Sequence, residues 1–126
     1  MTEGDVVIAA DLSAVPLAPS QPVIYDREIE LALLHRDART GAEHYLIRYP
    51  EGLQSRPHRH SAAHTMVVLE GSLVANGRVV GPSSYCHFPA GEVMTHTPAP
   101  GTSCLFVIIF DGPFDVHLVD TDEPRA

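Results

Sequence analysis

The apolar residues of this chain come in short runs, and few windows of the sequence carry a sustained helical period. Each run has the length of a strand, is rich in Val, Ile, Leu, Tyr and Phe, and is bounded by Gly, Pro, Asn or Asp. The runs cover residues 29–34, 44–49, 65–70, 73–74, 78–80, 84–88, 103–110 and 114–119. The sequence therefore predicts an all-β domain.

The turns between these runs are well marked. Asn76-Gly77 is a strong hairpin signal, because both central residues of a type I′ turn require positive φ. Many short antiparallel strands must close a barrel or stack as a sandwich to cover their edges. We expect that domain to span residues 23–119.

The two ends of the chain differ from this central part. Residues 1–22, with Pro16, Pro19 and Pro22, are predicted to form an N-terminal arm. Within the arm, Val6-Val7-Ile8 could pair as an edge strand against this subunit or a neighbour. The apolar stretch 6–10 could supply a swapped strand, so a homodimer is expected. Residues 120–126 are predicted to be a frayed acidic tail.

Size and charge exclude several classes of function. The 126 residues suffice for one domain, and 8 Lys and Arg against 16 Asp and Glu give a net charge of −8, which should repel nucleic acid and anionic membranes. Apolar stretches stay far below the roughly 20 residues of a membrane-spanning helix, and no charged-then-apolar leader opens the chain, so we expect a cytoplasmic protein. Cys86 and Cys104 lack CxxC spacing and are expected to stay free.

Three of the eight histidines stand in one short register between Gly52 and Gly71: His58, His60 and His64. In an extended strand the side-chain period is two, so His58 and His60 point to the same face, and His64 can return to that face after a short turn. Several imidazoles that converge on one point are hard to explain by packing, whereas imidazole is the commonest ligand of transition metals. The register predicts half of a site for one divalent transition metal ion.

A second segment supplies a candidate fourth ligand, His96. Pro89 and Gly91 should end one strand and reverse the chain, which places the next strand beside its predecessor. The remaining histidines have no motif support and are left unassigned: His35, His44, His87 and His117.

Together the two segments resemble the paired motifs of the cupin superfamily, G-x5-H-x-H-x3,4-E-x6-G and G-x5-P-x-G-x2-H-x3-N. In the first motif only the glutamate differs, and His64 stands in its place. The second motif matches at Pro89 and Gly91 and departs at Ser83, the family's glycine position, and at Met94, its histidine position. His96 follows two residues later with the same strand parity, so it should face the same way.

The resemblance implies a double-stranded β-helix, the cupin jelly-roll barrel, with the metal inside near its wider mouth. The segments around residues 34–41 and 45–52 are similar to the small ChrR-type and acetylacetone-dioxygenase-like cupins. The resemblance to this group implies Fe(II) as the favoured metal, and Mn, Ni or Zn are the other candidates.

A shell of neutral imidazoles leaves both positive charges on the metal, which favours a substrate that becomes an anion, such as the enolate of a 1,3-dicarbonyl. Four histidine ligands leave two positions open on an octahedral ion, whereas three leave room for both substrate and O2. The sequence leaves this choice open. Because imidazole must lose its proton to bind, the metal should leave below about pH 6.5.

Three functions follow as hypotheses. The resemblance favours a dioxygenase that cleaves a carbon–carbon bond of a small diketone-like or aromatic-ketone substrate, with that small molecule and O2 as its partners. The alternatives are a non-redox Lewis-acid cyclase, isomerase or lyase, and a non-enzymatic metal-containing ligand sensor.

The cavity walls are predicted from strand parity alone, and no catalytic residue is assigned beyond the metal ligands. Tyr45 and Arg48 lie on opposite faces of one strand, so at most one of them points inward. The candidate pocket residues are Met66, Val68, Phe106, Phe110 and Tyr45, with Leu105 and Ile109 in the other register of the last long strand.

Overall fold

The computed structural model describes residues 9–119, and within them the chain is built from eleven β-strands without a helix. In chain order the strands are β1 Ala18–Ser20, β2 Ile29–Arg36, β3 Glu43–Tyr49, β4 His58–Arg59, β5 His64–Gly71, β6 Leu73–Ala75, β7 Arg78–Val80, β8 Tyr85–Phe88, β9 His96–Pro98, β10 Cys104–Phe110 and β11 His117–Leu118. No segment between residues 9 and 119 qualifies as a membrane-spanning helix.

The strands form three antiparallel sheets around one core. The largest has six strands in the order β1-β2-β3-β10-β5-β8, and the others pair β11 with β4 and order β7-β6-β9. The core joins side chains of the large sheet, such as Tyr49 and Phe106, to Leu73 of β6 and to Met94 in the loop before β9. This arrangement confirms the all-β prediction and is the antiparallel architecture that the predicted double-stranded β-helix requires.

Two of the shortest strands carry candidate ligands and lie outside the apolar runs that were predicted as strands. β4 has two residues and β9 has three, so neither is long enough to form such a run, although the prediction from side-chain parity requires an extended chain at both places. The run predicted at 114–119 is a strand only at His117–Leu118.

Part of the predicted arm joins the large sheet, because β1 pairs antiparallel with β2. The Val6-Val7-Ile8 segment and the acidic tail at 120–126 lie outside the described residues.

The inward face of β5 brings His64 into the barrel. Along β5, His64, Met66 and Val68 are buried, whereas the residues between them are partly exposed. The pairing register places His64 opposite Phe110 on β10 and opposite Phe88 on β8. Strand alternation therefore surrounds His64 with two phenyl rings.

Glycines with positive φ mark the turns. Asn76 and Gly77 have φ values of 48° and 83°, as a type I′ hairpin requires. Gly71, the second glycine of the histidine register, has a φ of 72°, and a Cβ atom built there would lie 1.9 Å from the carbonyl oxygen of Ser103. Gly71 therefore permits a close approach between β5 and the start of β10.

We expect Gly71→Ala to lower the free energy of unfolding by more than about 3 kcal/mol, because it adds a backbone clash to the cost of positive φ. Gly91→Ala is the matched control, since Gly91 also has positive φ (79°) but no atom lies within 4 Å of the place that a Cβ would occupy. The control should lose only about 1 kcal/mol in urea titrations. Equal losses in the two variants would contradict the close approach.

Candidate metal centre

Four histidines meet inside the barrel. His58 begins β4, His60 follows it, His64 begins β5 and His96 begins β9. Their relative exposures are 0%, 2%, 0% and 2%, an unusual burial for a polar side chain. Segments far apart in the sequence thus place four imidazoles in one interior region.

Three of the four form a compact group, here called the histidine trio: His58, His60 and His96. One ring nitrogen from each lies within 4.8 Å of the other two. The His58 ring centroid is 4.9 Å from that of His60 and 5.0 Å from that of His96, with interplanar angles of 79° and 88°. The Nε2 atom of every member is buried and has no hydrogen-bond partner. Convergent imidazole nitrogens without partners are the donor set that a transition metal requires.

The Nδ1 atoms of the trio, in contrast, all have partners. His58 Nδ1 lies 2.7 Å from the carbonyl oxygen of Arg56, and His60 Nδ1 contacts the carbonyl oxygen of Asp115. A carbonyl oxygen only accepts, so both Nδ1 atoms carry the hydrogen and both Nε2 atoms keep a free lone pair. His96 Nδ1 lies 2.6 Å from the Tyr49 hydroxyl. The two carbonyl contacts fix the tautomers of His58 and His60, and the Tyr49 contact holds the orientation of the His96 ring, so the residues present fit a metal ion.

His64 lies beside the trio but is held differently. Its ring centroid is 4.9 Å from that of His60 and 6.1 Å from that of His96. Neither of its ring nitrogens has a hydrogen-bond partner, and its ring stacks on Phe88 at 4.8 Å and 16°. No group fixes its tautomer, and its nitrogens lie outside the compact group. Direct ligation by His64 stays a prediction.

Backbone hydrogen bonds hold the trio's strands together. His58 N donates to Met94 O (3.1 Å) and Met94 N donates to His58 O (2.9 Å), which brings the segment before β9 beside β4. Gly91 N donates to His60 O at 2.9 Å, so the predicted Pro89–Gly91 reversal closes on the histidine register. Met94, in the family's histidine position, is buried in the core and His96 reaches the trio in its place.

A loop residue secures His60 from the other side. Asp115 accepts a hydrogen bond from Ser61 N at 2.7 Å, and its carbonyl oxygen contacts His60. His117 Nε2 lies 3.1 Å from the Asp115 carboxylate, which gives this histidine, unassigned by motif, a structural role. Asp115 is thus a positioning residue that the sequence did not reveal.

Burial strongly affects how the histidines ionise. Loss of hydration, with a smaller contribution from neighbouring imidazoles, lowers the pKa of His58 to about 4 and that of His64 to about 3. Burial also lowers the pKa of His60 and places that of His96 well below its usual value. All four rings are therefore neutral at neutral pH. The expected pH of about 6.5 for loss of the metal assumed an imidazole of ordinary pKa, and with these lowered pKa values we expect protons to displace a metal only at lower pH.

A cavity of about 250 Å³ opens onto this region. Tyr45 and Phe110 line it, together with His60 and His96 of the trio. The remainder of its wall is mainly aliphatic and aromatic: Pro22, Ile24, Ile29, Leu31, Ile47, Ile108 and Phe114, with Ser20, Tyr25 and Tyr49.

Three predicted pocket residues do not line this cavity. Met66, Val68 and Phe106 are fully buried and belong to the packed core. Strand parity identified inward-facing positions correctly, but an inward position can lie in the core or at the cavity. Two registers are possible for β10, and the burial pattern agrees with the one in which Phe106 and Phe110 face inward.

Two further expectations concern polar side chains. Tyr45 faces the cavity while Arg48, on the opposite face of β3, pairs with exposed Glu70 at 3.6 Å. Cys86 and Cys104 are both free.

Tyr25 and Tyr49 border the trio, and no sequence signal points to either of them. The hydroxyls of these two tyrosines are hydrogen-bonded to each other, and Tyr49 contacts His96. Neither belongs to a metal motif, and Tyr49 lies 47 residues from its histidine partner.

We expect the metal-free protein to lose stability as the pH falls from 6.5 to about 4. In this window the unfolded chain protonates histidines of ordinary pKa, whereas folded His58 stays neutral down to about pH 4. Each such histidine lowers the free energy of unfolding by up to about 1.4 kcal/mol per pH unit. Urea titrations of chelator-treated protein should show this slope, and His64→Gln should flatten it. His87→Gln, at an exposed position, is the control. If the free energy of unfolding depends on pH as steeply in His64→Gln as in this control, the lowered pKa of His64 is contradicted.

We also expect Tyr49→Phe to weaken metal binding about 10- to 100-fold, because His96 loses the group that orients its ring. Tyr45→Phe is the matched control, since its hydroxyl is bonded to Glu43 at 2.6 Å rather than to a histidine. Competition with a chromophoric zinc chelator measures both affinities. Equal affinities in the two variants would show that Tyr49 does not support His96.

Comparison with known proteins agrees with this geometry. The family model described as the ChrR cupin-like domain matches residues 6–115. No curated protein matches the sequence closely enough to count as a relative.

Several solved structures share the fold at low sequence identity. The polyketide cyclase RemF from Streptomyces resistomycificus is 22% identical with a TM-score of 0.74, over 94% of this chain and 89% of its own. An acetylacetone dioxygenase from Acinetobacter johnsonii is 18% identical with a TM-score of 0.74, over 98% and 83%. The Rhodobacter sphaeroides complex of SigE with the anti-sigma ChrR matches at 18% identity and a TM-score of 0.65, over 80% of this chain and 52% of that one. With a family model that matches most of its length, the chain belongs to the ChrR cupin-like domain family of cupins.

Proposed function

We propose that this protein is a metal-dependent dioxygenase that cleaves a carbon–carbon bond of a small diketone-like or aromatic-ketone substrate. The observation that carries the proposal is that three histidines, and not four, form the compact donor group. A three-histidine site leaves more open positions than a four-histidine site, which suits a reaction with two small reactants.

The bound metal, with Fe(II) favoured, would supply a Lewis-acidic centre for the two oxygens of the substrate and a site of O2 chemistry. His58, His60 and His96 would hold it through their Nε2 atoms. The carbonyl groups of Arg56 and Asp115 orient two of these rings, so the donor geometry is set before a metal enters.

The reaction balances without a further oxidant or reductant. A 1,3-diketone and O2 give a carboxylic acid and a 2-oxoaldehyde or 2-oxoketone, and each product receives one oxygen atom of O2. The bond that breaks joins a carbonyl carbon to the central carbon of the diketone. The substrate supplies all the electrons that O2 accepts.

The cavity supports a small and mainly apolar substrate. Its volume of about 250 Å³ lies below the roughly 300–1,000 Å³ of pockets that hold drug-sized ligands. Ile47, Ile108 and Phe110 provide an apolar wall beside the trio. Such a wall excludes water from the reacting centre and strengthens electrostatic contacts there.

One observation favours a second candidate, a non-redox Lewis-acid cyclase, isomerase or lyase. His64 has two buried ring nitrogens without hydrogen-bond partners, and its ring centroid is 4.9 Å from that of His60. A small movement of the ring could therefore add His64 to the ligand set. Similarity to the cyclase RemF supports this alternative, and similarity to ChrR supports a non-enzymatic sensor.

The test combines metal analysis with oxygen uptake. Protein made without a histidine tag and loaded with Fe(II) should consume one O2 per small 1,3-diketone cleaved, and zinc-loaded protein should be inactive. Turnover of the same substrates by zinc-loaded protein without O2 would instead identify the Lewis-acid candidate. No reaction and no binding with either metal would favour the sensor.

Ligand variants test the three-histidine shell. We expect His58→Ala and His96→Ala to lose the metal, while His64→Ala keeps it. His87→Ala, at an exposed position hydrogen-bonded to Thr65, is the matched control. Loss of metal in His64→Ala, as complete as in His96→Ala, would contradict a three-ligand site.

A further inference from the structure

A chain of hydrogen bonds runs from the trio to the cavity wall. His96 Nδ1 contacts the Tyr49 hydroxyl at 2.6 Å, and the Tyr49 hydroxyl contacts that of Tyr25. Both phenol rings are buried, with exposures of 0% for Tyr49 and 8% for Tyr25, and both line the cavity. Burial raises the pKa of each phenol, so both keep their protons.

The Nε2 atom of His96, which has no hydrogen-bond partner, determines which group donates at each step of this series of hydrogen bonds. If Nε2 offers its lone pair to a cation, the ring hydrogen resides on Nδ1 and is donated to the Tyr49 oxygen. Tyr49 then donates its own hydrogen to the Tyr25 oxygen, its other neighbour. The hydroxyl hydrogen of Tyr25 is left over, since among residues 9–119 Tyr49 is the only hydrogen-bond partner of that hydroxyl. A buried donor without an acceptor is costly, and the cavity is where an acceptor can come from.

Tyr25 is held firmly in this position. Two hydrogen bonds join residues 24–26 to residues 54–56. Arg56 N donates to Ile24 O at 2.7 Å, and Gln54 N donates to the Asp26 carboxylate at 2.9 Å. The carbonyl oxygen of Arg56 also contacts His58 Nδ1 at 2.7 Å. One short segment therefore positions both a metal ligand and Tyr25.

We propose that the Tyr25 hydroxyl donates a hydrogen bond to a carbonyl oxygen of the bound substrate, and that ligation of a metal by His96 orients this donor toward the cavity. The inference deepens the proposed function and rests on it for the class of ligand, a small dicarbonyl compound. In a mainly apolar pocket, a donor placed beside the trio would select for ligands with an acceptor at that place.

Tyr45 is the natural control, because its hydroxyl is already committed. Tyr45 also lines the cavity, but its O–H donates to Glu43 at 2.6 Å, and Arg36 lies 3.3 Å from the same carboxylate. A contact between the Tyr45 hydroxyl and a carbonyl oxygen would require breaking that bond. Removal of its oxygen should therefore leave the affinity for a dicarbonyl ligand nearly unchanged.

The experiment measures binding of acetylacetone to zinc-loaded protein by isothermal titration calorimetry, so that no turnover is needed. We expect Tyr25→Phe to bind acetylacetone about tenfold more weakly than the unmodified protein, and Tyr45→Phe to stay within about twofold. Zinc content and zinc affinity of Tyr25→Phe should match those of the unmodified protein, because Tyr49 still accepts from His96.

The outcomes separate the two proposals. If the unmodified zinc protein does not bind acetylacetone, the dicarbonyl substrate class fails and the role of Tyr25 fails with it. If it binds and Tyr25→Phe binds equally well, only the role of Tyr25 is overturned. Loss of zinc from Tyr25→Phe would also overturn it, since Tyr25 would then act on the metal site.

A measurement on the unmodified protein covers the case in which Tyr25→Phe does not fold. Infrared spectra of carbon-13-labelled acetylacetone bound to the zinc protein should show a carbonyl band at lower frequency than the zinc chelate of acetylacetone shows in an aprotic solvent. An unshifted band would contradict a hydrogen bond from Tyr25.

Discussion

The hydrogen bonds at histidine Nδ1 atoms are the interaction on which the site depends. Two backbone carbonyl oxygens and one phenol occupy the Nδ1 side of the trio, which leaves three Nε2 atoms buried, convergent and without partners. An unpaired buried polar atom costs about 1–3 kcal/mol, and three in one place are hard to reconcile with packing alone. A cation that accepts all three lone pairs removes that cost, so the region is best understood as a site prepared for a metal.

The barrel supplies this arrangement from strand ends. β4 and β9 are too short to add much to the sheets, but the hydrogen bonds between His58 and Met94 align the segments that carry them. The same barrel gives His64 a different environment, stacked on Phe88 and without any orienting hydrogen bond. One interior therefore contains three oriented imidazoles and one free one, which is the physical basis for distinguishing a three-ligand from a four-ligand site.

Much of this could be predicted from sequence. Short apolar runs bounded by turn residues identified the long strands, and the glycine-bounded register identified three of the four buried histidines. His96 was found by parity, since a displacement of two residues along a strand preserves the face. Ser83, in the family's glycine position, keeps a φ of 69°, so the turn survives the substitution.

The rest depends on contacts between distant residues. Tyr25 and Tyr49 belong to no motif and become functional candidates only when the fold brings the Tyr49 hydroxyl to His96 and the Tyr25 hydroxyl to that of Tyr49. Met66, Val68 and Phe106 share inward parity with cavity residues, but the depth at which each side chain packs is a tertiary property. The orientation of His58 and His60 relies on backbone carbonyl groups, which leave no mark in the sequence.

The tautomers of the trio in the metal-free protein would show whether the site is prepared before a metal binds. Long-range proton–nitrogen NMR correlations at neutral pH distinguish imidazoles protonated at Nδ1 from those protonated at Nε2. We expect His58 and His60 to carry hydrogen on Nδ1 before any metal is added, because each Nδ1 faces a carbonyl oxygen, and His96 to carry it there once zinc is bound. A hydrogen on Nε2 of His58 or His60 in the metal-free protein would contradict a prepared metal site.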